Sequence, residues 1–372
     1  MKKLLAILVV FALFTSTAFA ADIFWGGWGR ANFVPVRVVM DGAADDTNIY
    51  SGTEVGWDSL PSFGIEFKLD GGEIGFFGKM SFEASDWGGG VGVSEQVYTW
   101  WKPLDAFQLT VGLVYWDVLR GAGGAESFAG YANGGSFGED AIFSRFNTVS
   151  KLGAVLQITP LENLYVGAAI RTGAGPGTKI DDVFKYSQYA LGYDIPGIGF
   201  ARVGYFGNNS QAMQVAFKLT AVEALNLDFG FTYKTDSQVA DAYLNTIQVN
   251  LVADFAISDA FKVWFGVNGE FGGDWEKQTP GSDPDWEPEF AKLQFGINPS
   301  FSLDFGTIGV GFYIGFPLVD DAKASLGFDL YIEKSVGGGS IKAGVAVAID
   351  PQGNDKNKVT FAIPIEITYS IY

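Results

Sequence analysis

The sequence predicts an all-β fold, a transmembrane antiparallel up-and-down β-barrel of about 18 strands with about 16 as the alternative. Three observations predict it. Apolar and polar residues alternate with a period of two, in blocks of roughly ten, from about residue 60 to the C-terminus. The connections between blocks alternate between tight and long. The composition is one of strands and turns: 50 of 372 residues are Gly and 16% are aromatic, against 13 Pro and 4 Met.

The first element lies outside the barrel. Lys2 and Lys3, the apolar run Leu4 to Phe14 and the ending Ala18-Phe19-Ala20 make residues 1–20 a secretory signal peptide, cleaved after Ala20. The run is too short to span a hydrocarbon core of about 30 Å, and nothing after it reads as a membrane helix. Residues 21–372 are then expected to form a single barrel domain.

The strand blocks run 24–40, 60–69, 73–85, 93–102, 107–117, 149–159, 164–172, 184–195, 198–206, 212–220, 225–234, 243–256, 261–271, 290–305, 308–316, 323–334, 340–350 and 359–372. Their logic shows in the block that opens at Leu225. One face is Leu225, Leu227, Phe229, Phe231 and Tyr233; the other is Asn226, Asp228, Gly230, Thr232 and Lys234. The same split recurs from Phe261 and from Leu293. A soluble sandwich hides one face in a finite core, whereas here large aromatics persist over many long blocks, which fits lipid outside and water inside. The hairpins of 184–206 and 308–333 carry the weakest turn signals and set the difference between the two strand counts.

Tight connections include Asp70-Gly71-Gly72, Pro103-Leu104-Asp105-Ala106, Pro160-Leu161-Glu162-Asn163, Pro196-Gly197 and Gly306-Thr307. The long ones are roughly 41–59, 118–148, 173–183 and 272–291. An even strand count puts both termini on the tight-turn side. Ten residues at about 3.3 Å each, tilted by roughly 40°, rise about 25 Å, the height of a lipid-facing band.

Composition also excludes. With 24 Lys plus Arg against 42 Asp plus Glu, the net charge of −18 opposes nucleic acid. There is no Cys and no His, which removes disulfides, thiol nucleophiles, imidazole metal sites and Ser-His-Asp relays. No catalytic residue, enzyme activity or cofactor is expected.

The leader, the whole-length alternation, the tight turns, the long loops and a final strand ending in an aromatic together resemble the general Gram-negative porins. The resemblance implies a cell outer membrane location and passive diffusion of small hydrophilic solutes and ions through a water-filled lumen, and the acid excess of the long loops adds a mild cation preference. It also implies outer-membrane lipid and lipopolysaccharide as surroundings, the outer-membrane assembly machinery as a partner, and a homotrimer. One departure points toward a spirochaete-type outer-membrane protein. The lipid-facing parity of the last block is Val359, Phe361, Ile363, Ile365, Ile367, Tyr369 and Ile371, so Tyr372 is out of phase, and Pro364 demands a weakly paired or bulged site.

Parity gives the expected pore-lining residues: Arg37, Lys79, Glu83, Lys151, Arg171, Arg202, Lys218, Asp228, Lys262, Glu270, Asp304 and Asp329. Glu66, Lys68, Lys102, Lys234, Asp254, Lys292, Glu333, Lys342, Asp350 and Glu366 share that parity. Near balance of sign suits a hydrated channel of weak selectivity. Segment 118–148 is the third external loop, and the resemblance implies that it folds inward as a constriction carrying Arg120, Glu126, Glu139, Asp140 and Arg145. Loops 41–59 and 272–291 concentrate acid. Within the latter, Asp283, Asp285 and Glu287 are a weak calcium candidate, since their spacing does not match the twelve-residue calcium loop. The alternative function is that of a surface protein, an adhesin or variable antigen, that uses its acidic loops and keeps the barrel as a scaffold.

Overall fold

A computed structural model describes residues 22–42, 46–52, 62–83, 96–116, 146–147, 153–171, 187–207, 210–236, 242–276, 286–318, 323–352 and 356–371. Residues 1–20, the expected signal peptide, lie outside them.

The regular structure of these residues is strand throughout. In chain order the strands are β1 (Asp22–Asp41), β2 (Asp46–Gly52), β3 (Ser62–Asp70), β4 (Ile74–Glu83), β5 (Gln96–Leu104), β6 (Phe107–Leu113) and β7 (Tyr115–Trp116). There follow β8 (Phe146–Asn147), β9 (Gly153–Leu161), β10 (Leu164–Arg171), β11 (Gln188–Ile195), β12 (Gly199–Gly207), β13 (Ser210–Val222) and β14 (Leu225–Asp236). The last are β15 (Ala242–Ala256), β16 (Phe261–Glu276), β17 (Trp286–Leu303), β18 (Gly306–Pro317), β19 (Ser325–Val336), β20 (Gly339–Gln352) and β21 (Lys356–Ile371).

These segments make a closed antiparallel barrel of 18 strands. β2 and β3 together count as one, since β2 runs along the upper half of β1 from Val34 to Asp41 while β3 runs along its lower half from Asp22 to Arg30. β7 and β8 pair with each other at the long-loop end of β6 and β9. Closure comes from β21 meeting β1, from Gly27 opposite Ile371 up to Asp41 opposite Lys358. Both uncertain hairpins form, as β11 with β12 and β18 with β19, which settles the larger strand count.

The tight connections all fall at one end. Four of them place a residue at φ between 60° and 79°: Gly72 (φ 79°), Asn163 (φ 66°), Gly197 (φ 72°) and Gly337 (φ 60°). Asparagine tolerates that region better than other residues with a Cβ, and glycine meets no steric cost there.

Burial separates the two faces. On a closed sheet, side chains splay apart on the convex side and crowd on the concave side. Phe301 is 47% exposed while Asp228 is 2% exposed, and the contrast holds around the wall, with Ile247, Phe312, Leu330 and Ile367 exposed and Asn250, Asp329 and Glu366 buried. The apolar parity is therefore convex. At the tight-turn end it finishes in exposed aromatics, among them Trp25, Trp101, Tyr193, Phe255, Phe301 and Tyr369, the girdle expected where lipid headgroups begin.

Pro364 meets the expectation set for it. The β1–β21 register shifts between Phe33 and Val36, and the ladder between β20 and β21 skips from Ala343 opposite Ile365 to Ala346 opposite Ala362. A residue without an N–H thus sits beside a bulge that contains Pro35. Val34, Ala346, Ala348 and Ala362 pack as a small apolar cluster at this seam.

Two expected loops shorten. Loop 41–59 contains the strand Asp46–Gly52, and loop 272–291 is mostly hairpin, because β16 and β17 stay paired as far as Trp275 opposite Trp286. Among the expected acids of these loops, Asp274 and Glu287 sit opposite each other in that ladder, and Asp283 and Asp285 lie outside the described residues. No group of three or more potential metal-ligating side chains occurs among the described residues.

Candidate functional site: the barrel interior

The concave face is built by every second residue of each strand. Most expected pore-lining residues that the structure describes fall on it, and cross-strand register brings many together in charge-balanced pairs. Lys79 Nζ stands 3.4 Å from Glu66 Oε1, directly across the β3–β4 ladder. Arg202 Nη2 lies 3.3 Å from Asp194 Oδ1, and Lys218 Nζ donates to Asp228 Oδ2 at 3.2 Å. Glu270 accepts from Gln248 Nε2 at 3.2 Å and faces Lys292 in register. Lys342 sits in register with both Glu333 and Glu366. Arg37 lies on β1 and Asp329 is fully buried on β19.

Lys262 is on the same parity near the tight-turn end of β16 and is exposed. Asp304 is placed differently, in the exposed tight turn beyond Leu303, because β17 ends one residue before it. Glu83 and Arg171 fall on β4 and β10. Lys151, Arg120, Glu126, Glu139, Asp140 and Arg145 lie outside the described residues, as does most of segment 118–148; of that segment, Phe146–Asn147 pairs with Tyr115–Trp116.

One wall, β13 to β17, carries rungs of polar side chains. Gln214, Thr232, Gln248, Glu270 and Lys292 follow one another in register across five strands. In the next rung Asn268 Nδ2 donates to Gln294 Oε1 at 3.0 Å. Asn250 and Thr232 are buried with a side-chain oxygen that has no hydrogen-bond partner among the described residues. Buried polar atoms are rarely left unpaired, so such atoms call for water on this wall.

The opposite wall differs, and sequence parity alone missed its character. Large aromatics stand at the polar parity, each opposite a glycine: Trp28 faces Gly64, Trp100 faces Gly75 and Tyr165 faces Gly192. The rings lie flat over those glycines. A Cβ on Gly75 would fall 1.8 Å from Trp100 Cζ2, and one on Gly192 would fall 1.9 Å from Tyr165 Cζ. Tyr331 covers Gly309 in the same way on the far side. Each glycine thus gives the ring room to pack against the wall, and Trp100 is only 9% exposed.

Cations then cap the rings. Lys79 lies 5.4 Å from the Trp28 ring centre, Lys68 lies 5.4 Å from that of Trp100, and Arg202 lies 5.5 Å from that of Tyr165 and 3.8 Å from that of Phe200. Lys342 lies 4.3 Å from the Tyr331 ring. The attraction of a cation for a ring quadrupole holds each basic side chain along the wall. The available signal was an aromatic at polar parity with glycine at the facing register position.

A cavity of about 430 Å³ opens at the tight-turn end of this wall, lined by Lys68, Asp70, Gly72, Tyr98, Trp100, Lys102 and Gln108.

No protein-family description matches the chain. No curated protein sequence matches it either. Solved structures do. An anion-selective porin from Comamonas acidovorans superposes with a TM-score of 0.54 at 11% identity, over 94% of this chain and 100% of that one. OpdO of Pseudomonas aeruginosa superposes with a TM-score of 0.53 at 12% identity, over 94% and 97% of the two chains. OccAB4 of Acinetobacter baumannii gives 0.53 at 9%, over 95% and 100%. The chain has the outer-membrane porin fold. Its convex apolar belt with an aromatic rim has the form of the lipid-facing surface of such a barrel.

Proposed function

We propose that the chain is a passive porin through which small hydrophilic solutes and ions cross the outer membrane. The observation that carries this reading is the inversion of burial: a closed barrel of 18 strands with its charged and amide residues on the concave face and its apolar residues on the convex one. A barrel of eight strands is filled by its own side chains, whereas one of about 16 to 18 encloses an aqueous channel. Lys79, Arg202, Lys218, Asp228, Lys262, Glu270 and Asp329, with Arg37, then line the water path.

The interior ion pairs support weak selectivity, since strong selection needs rings of one sign. The acid concentrated toward the long loops makes the outer mouth negative and favours cations modestly, an effect that salt screens. Segment 118–148, folded inward from its pinched base at Trp116 and Phe146, is the proposed constriction, with Arg120, Glu126, Glu139, Asp140 and Arg145 at the narrow point. The expected partners follow from the same reading: lipopolysaccharide outside, the assembly machinery during insertion, and two further copies in a trimer.

Planar-bilayer recording of the refolded chain tests it. Stepwise conductance that scales with bulk salt is expected, with a reversal potential in a salt gradient on the cation side. A sealed barrel with no steps would overturn the porin reading and leave the surface-protein alternative; steps with an anion-side reversal potential would overturn the charge assignment alone.

A further inference from the structure

We infer that the tight-turn rim of the barrel is a docking ring for phospholipid headgroups that carry a primary ammonium, the ethanolamine class, and that it disfavours anionic headgroups. The inference rests on the bilayer location that belongs to the porin reading and not on conduction.

One unit repeats along this rim. Six of the eight tight turns place an exposed aliphatic side chain within two residues of an exposed carboxylate: Ile74 after Glu73, Leu104 before Asp105, Leu161 before Glu162, Val222 before Glu223, Ile257 before Asp259 and Leu303 before Asp304. The aliphatic residues are 38–68% exposed.

Three of the units are made by the same device. Strict alternation would turn Leu104, three residues after the outward Trp101, toward the lumen, and would do the same to Leu161 after Ile158 and to Val222 after Leu219. In each hairpin the register shifts at that point by one residue, and the aliphatic side chain ends opposite an outward residue: Leu104 opposite Phe107, Leu161 opposite Leu164 and Val222 opposite Leu225. Residues paired across a ladder share a face, and a bulge re-aims a side chain at the expense of local pairing. Ile74 faces Trp101 across β4 and β5, while Ile257 and Leu303 continue the outward parity of Phe255 and Phe301. The wall therefore ends in outward aliphatic residues just beyond the aromatic girdle, at headgroup depth, and each brings a carboxylate with it.

Charge decides the headgroup. Of the six carboxylates only Asp105 has an ion-pair partner among the described residues, Lys102 Nζ at 3.4 Å, and the Asp105 side chain is fully exposed. A carboxylate only accepts hydrogen bonds, and a primary ammonium offers three donors together with its charge. A choline headgroup has the charge without the donors. A glycerol headgroup leaves the phosphate charge unbalanced against the acids. The units are spread over hairpins from β3–β4 round to β17–β18, so a membrane meets all of them at once, whereas a globular partner at one side meets only some. The β19–β20 hairpin is the gap in the ring, since its turn has no acid and Lys334 stands on the outward face opposite Ile341.

Electron paramagnetic resonance of spin-labelled phospholipids, with the full refolded chain in phosphatidylcholine vesicles, measures relative association at the barrel surface. It reads the same quantity whether or not the chain conducts, so this inference and the porin reading fail separately. Phosphatidylethanolamine is expected to associate roughly twofold to fourfold more strongly than phosphatidylcholine, the range of exposed ion pairs, and phosphatidylglycerol more weakly than either. The preference should shrink at high salt. Combining Glu73→Gln, Glu162→Gln, Glu223→Gln, Asp259→Asn and Asp304→Asn should abolish it; if that combination does not fold, the salt titration of wild type still decides. Equal association of the three lipids with wild type, which would leave the rim to a protein partner, overturns the inference. So does stronger association of phosphatidylglycerol, a preference indifferent to salt, or a preference that survives in the five-residue variant.

Discussion

Replacing Lys218 by methionine tests whether the interior charges act as matched pairs. Asp228 is 2% exposed and Lys218 is 28% exposed, and Lys218 Nζ donates to Asp228 Oδ2 at 3.2 Å. Asp228 Oδ1 is buried with no partner among the described residues, and Asp254 adds a like charge on the adjacent strand. Removing one member of a buried pair costs about 3–5 kcal/mol, because the other charge stays desolvated. Lys218 reaches the interior water, so the lower end applies and Lys218→Met should cost about 3 kcal/mol. The reverse change is milder: Asp228→Asn keeps an oxygen for Lys218, whose ammonium has solvent available, and should cost about 1 kcal/mol. Urea unfolding of the chain refolded into lipid vesicles, followed by tryptophan fluorescence, reads both as midpoint shifts at unchanged slope. Lys218→Met with Asp228→Leu should regain most of the loss, since an apolar pair of similar volume replaces a buried ion pair at little cost. Equal costs for the two single variants, or a loss below about 0.5 kcal/mol for Lys218→Met, would refute the reasoning.

Other expectations follow from single contacts. Gly192→Ala places a Cβ 1.9 Å from Tyr165 Cζ and must swing the ring off the wall, so it should cost about 1–3 kcal/mol and lower single-channel conductance; adding Tyr165→Ala should restore both. The Asp70 carboxyl is held below its ordinary 3.8 by hydrogen bonds from Lys68 and the Gly72 N–H, so its contribution to stability is intact above pH 3.8 and disappears as the pH falls through the folded-state value. Acid titration of the unfolding midpoint should accordingly be steeper for wild type than for Asp70→Asn. Deletion of residues 120–145 should raise single-channel conductance if that segment narrows the lumen, and unchanged conductance would place it elsewhere.

The strand framework was legible because a single rule, one polar and one apolar face, repeats along the whole chain. Every expected block corresponds to a strand, and the weak hairpins of Pro196-Gly197 and Gly306-Thr307 both form. Block ends were harder to place. Alternation fades toward the long loops, so the Asp46–Gly52 strand and the extension of β16 through Glu276 read as loop, and Asp304 read as wall. At the site, parity assigns a charge to a face but not to a partner: that Lys79 meets Glu66 depends on a register set by the Asp70-Gly71-Gly72 turn. The flat rings were missed for a different reason. Trp100 shares the inward parity of Lys102, but that Gly75 lies opposite it is not legible along one strand, because facing positions on two strands are a property of the ladder.

The bulge and gap at Pro35 and Pro364 also bear on how the barrel comes to exist. Until the last strand docks, β1 and β21 are the two raw edges of an open sheet, and edges of that length invite pairing with any other chain. A proline on each edge spoils it as a template for a straight foreign strand. The two fit each other because a bulge on one meets the missing donor of the other. The seam therefore works as a lock with one key: misaligned or intermolecular closures lose hydrogen bonds that the native one keeps, so insertion into the membrane is directed toward self-closure and away from aggregation.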